Sequence, residues 1–152
     1  MKSEIPLDTA TTRTHSALLT ASPKGASIGR RIARQQLTAW GLNSLATDAF
    51  HSALLVVAEL AANASTHGRV PGRRFELALT LTTTPRGGTT LRIEVSDCRG
   101  DRHPAVPASC AAHSQSGRGL TLVAALADRW GSIPRHPNGK TVWAELDLPR
   151  AV

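Results

Sequence analysis

The chain has 152 residues, 41% of them hydrophobic and 19% charged, with a formal net charge of +7. That length suits one domain with its own core, and the composition excludes a wholly disordered chain. No apolar run reaches membrane-spanning length, the opening from Met1 to Pro6 lacks the apolar centre of a signal peptide, and two cysteines are too few for a disulfide framework, so a cytoplasmic protein is expected.

Residues 1–15 are polar, rich in Thr and without period, and read as a mobile tail ahead of a single domain over 16–152. Ser16 to Thr20 predicts a short edge strand. Ser22 followed by Pro23 is a helix start, and Ile28, Ile32, Ala33, Leu37 and Trp40 give that helix one apolar side before Gly41 stops it. Thr47 reads as the cap of a second helix, with Asp48 in its first turn and Ala53, Val56, Val57, Leu60 and Ala64 as a buried stripe reaching to about His67.

The period then changes to two. Phe75, Leu77, Leu79 and Leu81 alternate with polar residues, the run from Pro85 to Gly88 makes a turn, and Leu91, Ile93 and Val95 alternate again, which predicts an antiparallel hairpin. Residues 99–116 hold Pro104 and Pro107 and no sustained period, the signature of a long functional loop or lid. Gly117 opens a third helix over Leu120 to about Asp128, Trp130 to Ile133 reads as a strand, and Val142, Ala144, Leu146 and Leu148 alternate in a last strand after the turn at Pro137-Asn138-Gly139. This order implies an α+β fold, a two-layer sandwich with helices on one face of a mainly antiparallel sheet.

Several polar groups stand where chemistry is possible. Glu59, Asn63 and His67 follow at intervals of four on the second helix and line one face over two turns. The carboxylate can take a proton or orient a nucleophile, and the amide oxygen suits Mg²⁺; a solvated helix face is the plain alternative. Asp97 continues the apolar stripe of Leu91, Ile93 and Val95, where a carboxylate needs a partner such as an amino group, or else caps a turn. Gly117-Arg118-Gly119-Leu120 stands where the long loop meets a helix, a place where backbone N–H groups attract phosphate. Gly139-Lys140-Thr141 follows the last turn, and Asn138-Gly139 is already sufficient for a hairpin.

In order and spacing these residues resemble the GHKL, or histidine-kinase-like, ATPase family over roughly residues 22–148. The resemblance implies a Bergerat-type ATP-binding fold with ATP and Mg²⁺ as ligands. It makes Glu59 to Asn63 with His67 the N box, Glu59 the catalytic base and Asn63 the Mg²⁺ ligand. It makes Asp97 the adenine reader and Gly100 part of the G1 box, Gly117, Arg118, Gly119 and Leu120 the G2 box, and Thr141 the G3 residue near the adenine. The G1 box here reads Asp97-Cys98-Arg99-Gly100, with Arg99 where that family often has its first glycine. Any of Arg99, Arg102 and Arg118 is placed to reach a γ-phosphate.

The small size, together with Ala127 to Gly131 and Thr141-Val142-Trp143, is similar to the anti-sigma-factor serine/threonine kinases of that family. That resemblance implies a transcription regulator with a sigma factor and an antagonist protein as partners, and leaves a homodimer open. An ATP-gated binding module without kinase activity is the main rival. Zinc binding through Cys98, His103, Cys110 and His113 is weaker, because only Cys110 and His113 have ligand spacing. Nucleic-acid binding is disfavoured by scattered arginines, two Phe and no Tyr.

Overall fold

The alternating stripes of the sequence become the inner face of one sheet. A computed structural model describes residues 10–67, 72–97, 113–135 and 139–149. Its strands are β1 (Thr11–Thr20), β2 (Arg74–Thr83), β3 (Thr89–Asp97), β4 (Arg129–Arg135) and β5 (Gly139–Leu148), in the order β1-β2-β3-β5-β4 with every neighbouring pair antiparallel. Helices α1 (Pro23–Ala39), α2 (Leu42–Leu45), α3 (Thr47–His67) and α4 (His113–Leu126) complete the described elements. α1 packs over β1, α3 over β2, β3 and β5, and α4 against β4, with α1 and α4 both touching α3. This is the α+β two-layer arrangement that the pattern predicts.

Leu77, Leu79, Leu91, Ile93 and Ala144 of the sheet are buried against Ala53, Val56, Val57 and Leu60 of α3 and Ala33 and Leu37 of α1. Each buried side chain of Leu or Ile size stabilises the fold by about 1.5–3 kcal/mol relative to exposure. These residues occupy three rungs of one sheet face and, with two helices, account for a single core. The outer sheet face keeps the polar half of each alternation.

One end of the sandwich is fastened with unusual closeness. Ser22 is extended (φ −155°, ψ 163°), and its Oγ accepts from Gly25 N at 3.0 Å, capping α1. A Cβ on Gly25 would collide with the Thr20 carbonyl oxygen, so glycine lets α1 begin directly over the end of β1. The buried Ser65 Oγ of α3 lies 3.0 Å from the Ser22 carbonyl oxygen and 2.8 Å from that of Ala61, and shares its proton between them. The C-terminal part of α3 is thereby tied to the end of the sheet where β1 leads into α1.

Several boundaries differ from those read in the sequence. β1 starts at Thr11, so residues 11–15 belong to the domain and not to the tail; the rest of the predicted tail, residues 1–9, lies outside the described residues. Thr11 to Thr14 are exposed and therefore carry no apolar period, but Thr favours strands and pairing with β2 as far as Thr83 satisfies the backbone. Thr47 does not cap α3. Its Oγ1 donates backwards to the Asn43 carbonyl at 3.2 Å, and the Ala46 carbonyl accepts from Phe50 N in the cap position. Gly41 ends α1 as predicted, in the left-handed conformation (φ 86°), and opens the short α2, which the sequence reading did not anticipate. α4 begins at His113, four residues before Gly117, and the remaining predicted loop residues, 99–112, lie outside the described residues. β4 is longer at both ends than Trp130 to Ile133.

Candidate functional site

The pairing register of the sheet defines a rung at the end fastened by Ser65. Across it stand Leu19, Phe75, Asp97, Lys140 and Pro134, in the order β1 to β4. Residues directly opposite in antiparallel strands point to one face, so Asp97 and Lys140 share the inner face with Phe75 and Leu19. Asp97 is 7% exposed, and Val95 below it is buried as well. A carboxylate thus closes an apolar stripe under the helical layer, as the alternation predicts.

α3 brings its polar residues to the same end. Ser65 points towards the start of α1, and positions two apart on a helix lie about 200° around its axis, so Asn63 occupies the opposite flank of α3. Asn63 and Glu59 are both half-buried at the rim of the helix's buried stripe. His67 is the last residue of α3 and follows on the same flank; its side chain lies outside the described residues. The candidate site is the inner-face region between α3, α4 and the ends of β3 and β5.

Gly117, Arg118 and Gly119 fall in the second turn of α4 and not ahead of it. Their side chains, and Gly100 altogether, lie outside the described residues. Leu120 is half-buried, and Val123, one turn on, is fully buried, so α4 is anchored to the core just beyond these glycines. The zinc alternative rests on Cys98, His103 and Cys110, outside the described residues, and on His113 at the first position of α4.

Thr141 follows Lys140 on β5. The register pairs it with Ser96, and the two hydroxyls are 2.7 Å apart on the outer face of the sheet. Both residues are buried there, and their neighbours Glu94 and Trp143 pair across the same face. Thr141 therefore points away from Asp97, and the β5 residue that shares the inner face with Asp97 is Lys140. The signal was in the alternation: Val142, Ala144 and Leu146 face inward, which assigns Lys140 inward and Thr141 outward. Gly139 has a packing reason of its own, since a Cβ there would collide with the Asp97 carbonyl oxygen.

The outer face carries a different chemistry. Arg92 Nε donates to Glu94 Oε2 and its Nη1 to Glu145 Oε2, both at 3.0 Å, with the Arg92 guanidinium 4.4 Å from the Trp143 ring centre. Arg129 donates to Glu145 Oε1 at 2.8 Å and to both carboxylate oxygens of Asp147. The hydrogen bond from Arg129 holds the Glu145 carboxyl below its ordinary range, with Arg92 adding to it, and Arg129 followed by Thr90 does the same for Asp147. Asp147 and Glu145 together raise the Arg129 guanidinium further above its already high value.

The family model described as "Histidine kinase-like ATPase domain" matches residues 20–146. Among solved structures, the RsbU and RsbW domains of Rv1364c from Mycobacterium tuberculosis are similar in fold, with a TM-score of 0.63 at 17% identity. That match covers 92% of this chain and 33% of the other, so the chain spans about a third of that protein's length. No curated protein matches the chain. Among the described residues, no helix is long and apolar enough to cross a membrane.

Proposed function

Since the chain belongs to the histidine kinase-like ATPase domain family, we propose that it is a Mg²⁺-ATP-binding regulatory protein of the anti-sigma-factor type, a serine/threonine kinase that phosphorylates an antagonist protein. The observation that carries this reading is Asp97, a buried carboxylate ending the inner stripe of β3 beneath the helix that bears Glu59 and Asn63. A carboxylate accepts hydrogen bonds, and the exocyclic amino group of adenine donates them, so the base belongs at Asp97. The phosphates then extend towards the flank of α3 that carries Asn63 and Glu59, and towards Gly117, Arg118 and Gly119.

The residues fit Mg²⁺ in a limited sense. Among the described residues, no group of three or more His, Cys, Asp or Glu comes together to hold a metal ion. Asn63 would hold the ion through its amide oxygen, and the remaining ligands would be phosphate oxygens and water, the usual habit of Mg²⁺. When bound, the ion supplies charge neutralisation at the phosphates. Glu59, one helical turn before Asn63, orients the attacking hydroxyl and takes its proton. Asp97 positions the base, and Leu120 with Val123 fixes the helix on which the glycines sit.

The partner circuit, a sigma factor released when the antagonist is unphosphorylated, rests on the resemblance of the motifs. The test is incubation of the protein with γ-labelled ATP, Mg²⁺ and candidate antagonist proteins. Label on an antagonist serine or threonine is the expected result. Saturable ATP binding without transfer to any candidate would favour the ATP-gated binding module instead.

A further inference from the structure

Lys140 stands directly across from Asp97 on the inner face, and no motif accounts for it. The register fixes the pair, because Asp97 is opposite Lys140 while Ser96 is opposite Thr141 with its hydroxyl 2.7 Å away on the other face. Cβ atoms of directly opposite residues lie about 4.5–5.5 Å apart, so the two side chains leave the sheet from neighbouring points of one face. Lys140 is half-buried. Among the described residues, none forms a salt bridge or side-chain hydrogen bond with it. Its strand position is also rigid, since Gly139 packs against the Asp97 carbonyl oxygen too closely for any side chain.

We propose that Lys140 is a specificity-determining residue of the nucleotide site, which it opens to 6-oxo purine nucleotides such as GTP beside ATP; this rests on the nucleotide-site reading above. At the 6-position adenine presents an amino donor and guanine a carbonyl acceptor. A carboxylate accepts only, so Asp97 alone welcomes adenine and repels the guanine O6. An ammonium donates only, and beside Asp97 it offers O6 the donor that the carboxylate lacks. A threonine hydroxyl at this place would supply neither the charge nor the same reach. Adenine keeps its bond to Asp97 whether or not the ammonium is present. Lys140 therefore matters far more for guanine than for adenine.

The experiment is calorimetric titration of the full chain with Mg²⁺-ATP and Mg²⁺-GTP, comparing wild type, Lys140→Met, Lys140→Arg and Thr141→Val. Wild type is expected to bind GTP within about tenfold of ATP, and Lys140→Met to lose GTP affinity about tenfold or more while losing ATP about threefold or less. Lys140→Arg, which keeps the cation, should restore GTP binding, and Thr141→Val should leave the ATP-to-GTP ratio unchanged. A lysine that merely supports the fold would lower both affinities alike and would not be rescued in ratio by arginine. The inference is overturned if wild type binds ATP and rejects GTP, if Lys140→Met changes both affinities equally or neither, or if Thr141→Val shifts the ratio as far. Should wild type bind neither nucleotide, the nucleotide-site reading itself fails and Lys140 falls with it, an outcome plainly separate from loss of GTP alone. Should Lys140→Met fail to fold, Lys140→Leu, which also removes the cation, takes its place in the same comparison.

Discussion

On the outer face of the sheet Glu94, Glu145 and Asp147 each meet an arginine, while on the inner face Asp97 stands at the end of a stripe made by Leu91, Ile93 and Val95. The same strands supply both sets, one residue apart. Outside, acids and bases are half-exposed and satisfy one another across β3, β5 and β4, which is what a solvated sheet face does with its charge. Inside, acid and base stand at one end of a core where every other residue of the stripe is apolar, and burial makes a polar group costly unless something is gained. Charge on the outer face serves the sheet; charge on the inner face stands where we propose that a ligand binds. The difference can be broken or sharpened by substitutions that act on one side only.

The largest effect separates neighbours on α3. Leu60 is 2% exposed and belongs to the core, whereas Glu59 is half-buried at the rim. Leu60→Ala should destabilise the protein by about 2–5 kcal/mol, read as a lower denaturant midpoint at unchanged slope. If Leu60→Ala leaves the midpoint where it was, α3 is not packed as described.

Glu59→Ala should do the reverse. Stability and Mg²⁺-ATP affinity stay near wild type, and the rate of phosphate transfer to an antagonist falls by about 10²-fold or more, the scale of a lost general base. Equal transfer rates in single-turnover assays would remove Glu59 from the chemistry.

The smallest effect belongs to the outer face. Hydrogen bonds from Arg129 depress the folded-state pKa of Glu145 and Asp147, so their stabilisation is complete above the ordinary carboxylate range and disappears as pH falls through the lowered values. Arg129→Met should therefore move the acid-unfolding midpoint to higher pH, followed by circular dichroism, and leave nucleotide affinity untouched. An unchanged acid midpoint would mean that the ladder holds nothing in solution.

Most of the fold was legible because it rests on two periods. The stripe from Ala53 to Ala64, the hairpin and the last strand all appear where their spacing puts them, with the inward residues buried. What was missed had weak local signals. Residues 11–15 lie on an exposed edge and show no period, and α2 is a single turn between Gly41 and Ala46. Asp97 was legible as a candidate because alternation marks a polar residue in an apolar row. Thr141 was placed by motif order alone, against an alternation that put it on the other face, and the register follows the alternation. Neither Ser65 nor its bond to Ser22 could be read, since it joins residues 43 apart in the chain.

The central claim is that the inner-face end of β3, beneath α3, is a Mg²⁺-ATP site. Titration calorimetry of wild type, Asp97→Asn and Asn63→Ala with ATP, each with and without Mg²⁺, tests it most directly. The account predicts saturable binding by wild type. It predicts a loss of about 1–3 kcal/mol in Asp97→Asn whether or not Mg²⁺ is present, and a loss in Asn63→Ala confined to the Mg²⁺ titration. Absence of ATP binding by wild type, or wild-type affinity in both variants, would contradict it.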